Sequence, residues 1–199
     1  MTNVPDSGAV SHVTRYSVMP IPPVEAHTAW FEAGPLRIGV EYRLLTEAVA
    51  ASSSLESAAG DERGETTELD DRGVSLHVFG EQDGEWREFL RFDCFVEDPH
   101  YHYVSWRAKA NEMIHLDPIA DGDPLAWALE RLRTRLPQML GRAGASDVAA
   151  RIDFAALEEA LPRVTQAAFR ARYEHDDAKI LAAAVAAGGA GARAPRSRR

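Results

Sequence analysis

Residues 73–96 have the sequence GVSLHVFGEQDGEWREFLRFDCFV, in which two alternating runs flank a turn signal. Apolar side chains occupy every second position of the two runs, at Val74, Leu76, Val78, Leu90, Phe92 and Cys94. A period of two is typical of β-strands that bury one face. We therefore predict two neighbouring antiparallel strands joined by a hairpin loop around Asp83 and Gly84.

The length of that loop determines which side chains share a face. A two-residue turn at 83–84 would place Leu76 opposite Arg91, so that apolar and polar stripes would lie on one surface. Because a one-residue shift exchanges the two faces, we predict an odd loop that pairs Leu76 with Phe92 and His77 with Arg91. The reverse face then carries a mixed set of side chains, namely Ser75, His77, Phe79, Phe89, Arg91, Asp93 and Phe95.

Strand-like patterns continue on both sides of this hairpin. Residues 28–45 contain a Gly34–Pro35 turn signal followed by an alternating run, which predicts a second hairpin. Shorter runs at 101–106 and 113–117 predict two further strands. All of these strands precede the first helical pattern, so one antiparallel sheet of about four to five strands is expected.

The hydrophobic period changes to that of a helix after Asp123. Apolar residues then recur at three- and four-residue steps, which predicts a helix over 124–140 that Pro137 kinks or ends. A second helical region over 146–187 is expected to break at Pro162. Grouped strands followed by grouped helices are typical of the α+β class, with the sheet packed on the C-terminal helices in two layers.

Composition divides the chain into three parts. Residues 1–27 are predicted to be an extended or disordered leader, because prolines are frequent at its end. Residues 28–187 form a predicted single α+β domain, which includes an acidic loop over 50–73 that is poor in apolar residues. Residues 188–199 are predicted to be a disordered basic tail.

The overall composition excludes several classes of function. The formal net charge is -9, which disfavours binding to nucleic acid or to an anionic membrane surface. The sequence has no apolar run long enough to cross a bilayer and no pattern typical of a signal peptide. A single cysteine, Cys94, fits a reducing compartment, so we expect a cytoplasmic protein. Cys94 lies on the apolar stripe and is expected to act as a small hydrophobic residue rather than as a nucleophile.

The mixed face of the central hairpin is one candidate binding site. Arg91 offers a planar fork for a carboxylate or phosphate, His77 can titrate near neutral pH, and Asp93 can orient either one. The alternative is a cross-strand charge pair on a solvated face. Tyr101 and Tyr103 are further candidates that could stack on a ligand, although aromatic packing within the sheet is the alternative. The expected ligand is small and either anionic or aromatic.

A His-x-His pattern gives a candidate metal site. His100 and His102 would point to one face of an extended strand, where two imidazoles can share a divalent metal ion. His115 is predicted to complete the set, and the other candidates for a third ligand are His77, Asp93 and Glu41. The alternative is that His100 belongs to a turn and His102 packs within the sheet.

Three runs carry a resemblance to a known family: GVSLHVFG at 73–80, FLRFDCF at 89–95 and PHYHY at 99–103. Together they resemble a family of uncharacterised bacterial proteins that is known as a domain of unknown function. The resemblance covers about residues 73–141. It implies a bacterial and cytoplasmic protein but no particular activity.

Three functions follow as hypotheses. The first is an accessory protein that binds a small ligand or a partner through the mixed sheet face. The second is a metal-dependent enzyme with a histidine-rich site around His100 and His102. The third is a homodimer whose sheet faces meet, since homodimers are the commonest assemblies.

Overall fold

The computed structural model describes residues 13–17, 19–45, 71–180 and 182, and within them it contains one antiparallel sheet. The strands are β1 (Val13–Tyr16), β2 (Ala29–Ala33), β3 (Leu36–Leu45), β4 (Asp71–Gln82), β5 (Glu85–Phe95), β6 (His100–Ser105) and β7 (Ala110–His115). Their order across the sheet is β1-β7-β6-β5-β4-β3-β2. Apart from β1, each strand pairs with its neighbour in the chain.

The prediction of an α+β fold with an antiparallel sheet is confirmed, but the predicted strand number is wrong. The described residues form seven strands rather than four to five. One strand comes from the leader, where Val13–Tyr16 pairs with β7 at the edge of the sheet. Its partner lies about a hundred residues away in the sequence, so no local turn signal announces the pairing. Residues 71–73, expected in the acidic loop, belong to β4, while 46–70 lie outside the described residues.

The sheet is followed by helices α1 (Pro124–Thr134), α2 (Leu136–Arg142), α3 (Ser146–Ala149) and α4 (Phe154–Tyr173), and residues 177–180 are also helical. The Asp123 carboxylate accepts a hydrogen bond from the amide of Ala126 at 2.9 Å, which caps α1. The predicted helix over 124–140 is interrupted at Arg135, two residues before Pro137. Proline has no amide hydrogen and its ring clashes with the preceding turn, which explains the interruption.

Helix α4 runs through Pro162, so the prediction that this proline breaks the helix is wrong. Pro162 and the preceding Glu158 are both exposed, and the carbonyl group that loses its helical partner can be hydrated. The apolar face of the helix buries Leu157, Leu161 and Val164 against the core. This burial offsets the missing hydrogen bond.

The hydrophobic core lies between the sheet and the helices. Helix α4 packs on β2 and β3, whereas α1 and α2 pack on β5. Phe92 is 1% exposed, and its ring contacts those of Tyr101 and Trp127, with centroids 6.2 Å away in each case. The helices cover one face of the sheet, and we call the opposite surface the polar face.

The central hairpin has the predicted register but not the predicted loop. Leu76 pairs with Phe92 and His77 with Arg91. However, Gln82 pairs with Glu85, so the turn has only two residues, and both have a positive φ: 56° at Asp83 and 81° at Gly84. This conformation is typical of an Asp-Gly hairpin turn.

A β-bulge, rather than an odd loop, supplies the extra residue that brings the apolar side chains of both strands onto one face. The ladder shifts between Val78 and Phe79, whose partners are Leu90 and Glu88, so that Phe89 is the extra residue. Phe89 is fully buried in the core between sheet and helices. The prediction that Phe89 lies on the polar face is therefore wrong, and Glu88 occupies that place.

Candidate functional site

The polar face is lined with ionisable side chains that are buried rather than exposed. They come from β3 to β6, and each of the residues is at most 8% exposed: Glu41, Arg43, His77, Glu88, Arg91, Asp93, His100 and His102. Burial of so many charged groups is costly unless each is paired. Their contacts divide them into two groups.

The first group, which we call the charged network, consists of Glu41, Arg43, His77, Glu88 and Arg91. Both nitrogens of the His77 ring contact carboxylates, with Nδ1 2.7 Å from Glu88 Oε1 and Nε2 3.2 Å from Glu41 Oε2. Arg91 donates to both oxygens of Glu88, from Nε at 2.9 Å and from Nη2 at 2.7 Å. Arg43 donates to Glu41 at 3.1 Å. Every charge in this network therefore has a partner.

The leader covers the charged network with its backbone carbonyls. The carbonyl of Ile21 accepts a hydrogen bond from Arg91 at 2.6 Å, and that of Pro22 accepts one from Arg43 at 2.9 Å. A cavity of about 20 Å³ next to them is lined in part by His27 and Glu41, and it has room for one water molecule. Both His27 nitrogens and Glu41 Oε1 are buried without a hydrogen-bond partner among the described residues. One water in this cavity could bond to Glu41 Oε1 and to a single nitrogen of His27.

The charged network holds its carboxylates ionised. Burial opposes ionisation of Glu88, but the Arg91 guanidinium and the His77 ring lower its pKa to about 2. Burial likewise opposes ionisation of Glu41, and Arg43 and His77 lower its pKa to about 2. Burial alone would lower the pKa of Arg91, yet Glu88 raises it. The network is thus a set of matched charges at neutral pH.

These pKa shifts predict a loss of stability in acid. The folded-state pKa of Glu88 lies below its ordinary value of 4.5, so its stabilising effect is present above that value and disappears as the pH falls towards 2. We expect the Glu88→Gln variant to take up about one proton fewer than the parent protein on unfolding between pH 5 and 3. Its free energy of unfolding should therefore depend less steeply on pH than that of the parent protein. Urea unfolding at several pH values measures this slope. The matched control is Glu85→Gln, whose carboxylate is 69% exposed. Equal slopes in the two variants would contradict the prediction.

The second group, which we call the histidine triad, consists of Asp93, His100 and His102. Asp93 Oδ2 lies 3.4 Å from His100 Nε2 and 3.3 Å from His102 Nε2, and one ligand atom from each residue lies within 4.8 Å of the other two. The sheet produces this arrangement, because Asp93 of β5 pairs with His100 of β6 and His102 follows two residues later on the same face. The structure brings His100 and His102 together with Asp93, which was one of the other candidates for a third ligand, rather than with the expected His115.

Other groups hold the remaining polar atoms of the histidine triad. His100 Nδ1 lies 2.7 Å from the carbonyl oxygen of Asp98, and His102 Nδ1 lies 2.8 Å from Asn111 Oδ1. Ser75 donates to Asp93 Oδ1 at 2.5 Å. Because both Nδ1 atoms face oxygen acceptors, each can donate a hydrogen bond there. A protonated ring then also donates from Nε2 to Asp93, whereas a neutral ring with its proton on Nδ1 presents an Nε2 lone pair.

The three ionisable groups of the triad respond differently to burial. Burial opposes ionisation of Asp93, but hydrogen bonds from His100 and His102 lower its pKa well below the ordinary value. Burial also opposes protonation of His100, yet Asp93 raises its pKa. For His102 burial dominates and lowers the pKa. His102 is therefore the more readily neutral of the two rings.

Several predicted site residues lie elsewhere. His115 is absent from the triad, because its Nδ1 lies 2.6 Å from Asp98 Oδ1 and its side chain is 37% exposed. Tyr101 and Tyr103 alternate with the histidines, so they face the helices, where Tyr101 contacts Trp127. His77 and Arg91 share the polar face with Asp93 as the alternation predicts, but they belong to the charged network.

Sequence reasoning missed Glu88 and Asn111. Glu88 was hidden because the bulge at Phe89 shifts its face, and no sequence signal marks that position. Asn111 falls between the strands predicted at 101–106 and 113–117, whereas in the structure it lies on β7 and contacts His102. A predicted strand that began at Ala110 would have placed Asn111 on the same face as Asp93, two strands away in the sheet.

The fold and the site define an α+β protein with a buried two-histidine, one-carboxylate group on the polar face of its sheet. The profile of the family described as a domain of unknown function (DUF7700) matches residues 30–168, and the chain belongs to this family. The match is longer than the resemblance at 73–141, and it includes the triad but not the leader residues that cover the charged network. No curated protein and no solved structure matches the chain. Within the described part of the chain, the helices lack the length and apolarity needed to cross a membrane.

Proposed function

We propose that this chain is a metal-binding protein in which Asp93, His100 and His102 hold a divalent transition-metal ion that serves as the Lewis-acid centre of an enzyme. One observation carries the proposal. Three ligand atoms from two adjacent strands converge within 4.8 Å, while Asp98, Asn111 and Ser75 engage the other polar atoms of the same side chains. Such outer contacts orient metal-binding histidines in many proteins.

The electrostatics of the triad favour a cation. A neutral ring whose Nδ1 donates a hydrogen bond has a lone pair on Nε2, and both Nε2 atoms lie within 3.4 Å of a carboxylate oxygen. Lone pairs at that distance repel one another unless a proton or a metal ion lies between them. A divalent ion satisfies all three atoms at once. The group therefore has the charge and the orientation of a ligand set.

The donor types indicate the kind of ion. Two imidazole nitrogens and one carboxylate oxygen suit Zn²⁺ or Fe²⁺, whereas Mg²⁺ and Ca²⁺ prefer oxygen donors alone. Structural zinc sites use four protein ligands, and catalytic sites commonly use three and leave a position for water or substrate. The three donors of the triad fit the catalytic pattern. An ion held in this way would polarise a bound carbonyl or phosphoryl group or lower the pKa of a bound water.

The binding prediction is direct. Protein purified without a histidine tag and without chelator is expected to contain about one zinc or iron ion per chain by elemental analysis. His102→Ala should weaken the affinity for Zn²⁺ at least about hundredfold, and Asn111→Ala about 10- to 100-fold, because loss of an outer contact alone costs that much. His115→Ala is the matched control, and its affinity should equal that of the parent protein.

Two results would refute the metal site. One is a parent protein that holds no metal and gains no thermal stability when Zn²⁺ or Fe²⁺ is added, since ligands of the folded state raise the unfolding temperature. The other is an equal loss of affinity in His115→Ala and His102→Ala. Measuring the metal-dependent rise in unfolding temperature keeps the test valid even where a variant is less stable.

The open coordination position has its own test. Protein loaded with Co²⁺ should change its visible spectrum when azide is added, because azide can replace a bound water only if such a water is present. A spectrum that azide leaves unchanged in the loaded protein would indicate a closed, structural ion. The metal-binding part of the proposal would then stand without the enzyme part.

The contacts of the polar face favour the metal site over the other two hypotheses. The Arg91 fork is filled by Glu88 and Ile21, so it offers little to a small anion. A dimer through sheet faces would need an uncovered face. Helices cover one side, and the carbonyls of Ile21 and Pro22 lie over the charged network on the other.

A further inference from the structure

A groove on the helix side of the sheet is separate from the histidine triad. It is open, has a volume of about 300 Å³ and runs between β6 and helices α1 and α2. Aromatic side chains and arginines both line it, namely Tyr101, Tyr103, Trp127, Arg131, Arg135 and Arg142. All of these residues lie within the range that matches the family profile.

The aromatic part of the groove presents ring surfaces. The ring of Tyr101 lies 5.1 Å from that of Trp127 and 5.5 Å from that of Tyr103, and the second pair is perpendicular. Tyr101 and Trp127 are only partly buried. Burial, and then the neighbouring Tyr103, raise the pKa of Tyr101 to about 12, so its hydroxyl keeps its proton and can donate. Partly exposed ring faces of this kind are typical platforms for a flat ligand.

The three arginines give the groove a positive charge. The guanidinium carbon of Arg142 lies 4.2 Å from the centre of the Tyr103 ring, and that of Arg131 lies 4.6 Å from the centre of the Trp127 ring. Stacking leaves the N–H groups at the edge of each guanidinium free to donate, apart from single contacts to Glu112 at 3.4 Å and Glu130 at 3.0 Å.

Arg135 differs from the other two arginines. It ends α1, its side chain is exposed, and it forms no side-chain hydrogen bond or ion pair with any residue that the structure describes. No carboxylate lines the groove, although acidic residues outnumber basic ones by 31 to 22 in the whole chain. A free guanidinium beside aromatic rings is suited to a carboxylate or phosphate that is attached to a planar group.

We propose that this groove binds a small planar anion, in which an aromatic ring stacks on Tyr101 and Trp127 and a carboxylate or phosphate pairs with Arg135. The volume fits a ligand of about the size of a bicyclic aromatic acid or somewhat larger. The proposal does not depend on the metal site, which lies on the other face of the sheet.

The test uses four probes and the resolved indole N–H signal of Trp127 in a two-dimensional NMR spectrum, assigned with a Trp127→Phe variant. The probes are 2-naphthoate, adenosine monophosphate, uncharged 2-naphthamide and inorganic phosphate. At least one of the two ring-bearing anions should shift the Trp127 signal and saturate. 2-Naphthamide should bind at least about tenfold more weakly than 2-naphthoate, because it lacks the ionic contact, and phosphate alone should not saturate. The tighter of the two ring-bearing anions tells whether the site prefers a carboxylate or a phosphate.

Two matched variants locate the charge. Arg135→Gln should weaken the preferred anion about tenfold, while Arg133→Gln should leave its affinity unchanged. Arg133 lies on the same helix and is 62% exposed, so it changes the net charge equally but lies outside the groove. Absence of saturation by both anions, equal affinity for 2-naphthoate and 2-naphthamide, or equal loss in the two variants would overturn the proposal. Addition of chelator should not alter these affinities, which separates this test from that of the metal site.

Discussion

Arg91→Met is expected to lower the free energy of unfolding by about 3–5 kcal/mol, because it removes one partner of a buried ion pair. The side chain of Arg91 is 3% exposed, and it donates two hydrogen bonds to Glu88 and one to the carbonyl of Ile21. Methionine fills much of the same volume but leaves the Glu88 carboxylate with His77 alone. An uncompensated buried charge costs far more than the lost contact itself.

Urea unfolding followed by circular dichroism measures this loss. Arg170→Met is the control, because Arg170 forms an exposed pair with Glu174 at 3.7 Å and its loss should cost less than about 0.5 kcal/mol. A second variant, Glu88→Gln with Arg91→Met, should recover part of the stability, since it removes the unpaired charge as well. A loss below about 1 kcal/mol for Arg91→Met would contradict the buried network.

The contacts of the leader with the charged network indicate a structural role for the two arginines of that network. Ile21 and Pro22 use carbonyl oxygens to accept from Arg91 and Arg43, so two arginines of the sheet hold a segment that has no strand pairing of its own. Arginine suits this role, since its planar fork can serve a carboxylate and a backbone carbonyl together. The carboxylates of Glu41 and Glu88 keep both arginines in place.

Alternation predicted which side chains share a face from Val74 to Val78 on β4 and from Leu90 to Cys94 on β5, but not at the bulge. The apolar side chains of both strands must face the helices, and only one strand register achieves this, namely the one that pairs Leu76 with Phe92. The same pattern cannot tell an odd loop from a two-residue turn followed by a bulge, because either one supplies the extra residue. The position of Phe89, and with it the role of Glu88, therefore required the structure.

The histidine triad was predictable in part for the same reason. The spacing of His100 and His102 places both rings on one face, and it equally places Tyr101 and Tyr103 on the other. The identity of the third ligand was not predictable, because several acidic and histidine residues lie on neighbouring strands. His115 pairs with His100 across the sheet, yet its ring turns to Asp98, since backbone register does not determine a side-chain rotamer.

Phe92→Ala should also lower the free energy of unfolding by about 3–5 kcal/mol, for a different physical reason. Phe92 lies between the sheet and α1, is 1% exposed, and contacts the rings of Tyr101 and Trp127. Truncation removes buried apolar surface and leaves a cavity that the surrounding strands and helix can close only in part. The control is Phe154→Ala, since Phe154 is 59% exposed and its loss should cost less than about 0.5 kcal/mol.

The dependence of the unfolding free energy on urea concentration should keep its slope in Phe92→Ala, because the surface exposed on unfolding is nearly unchanged. The free energy of unfolding of Phe92→Leu should lie between those of the parent protein and of Phe92→Ala, because leucine fills part of the cavity. A loss below about 1.5 kcal/mol in Phe92→Ala would mean that α1 does not pack on β5 in the way described. Tyr101 and Trp127 contact Phe92 and also line the groove, so Phe92→Ala should weaken binding of the planar anion as well. Arg91 lies on the other face of the sheet. Arg91→Met should therefore leave the affinity for the anion unchanged as long as the protein is folded.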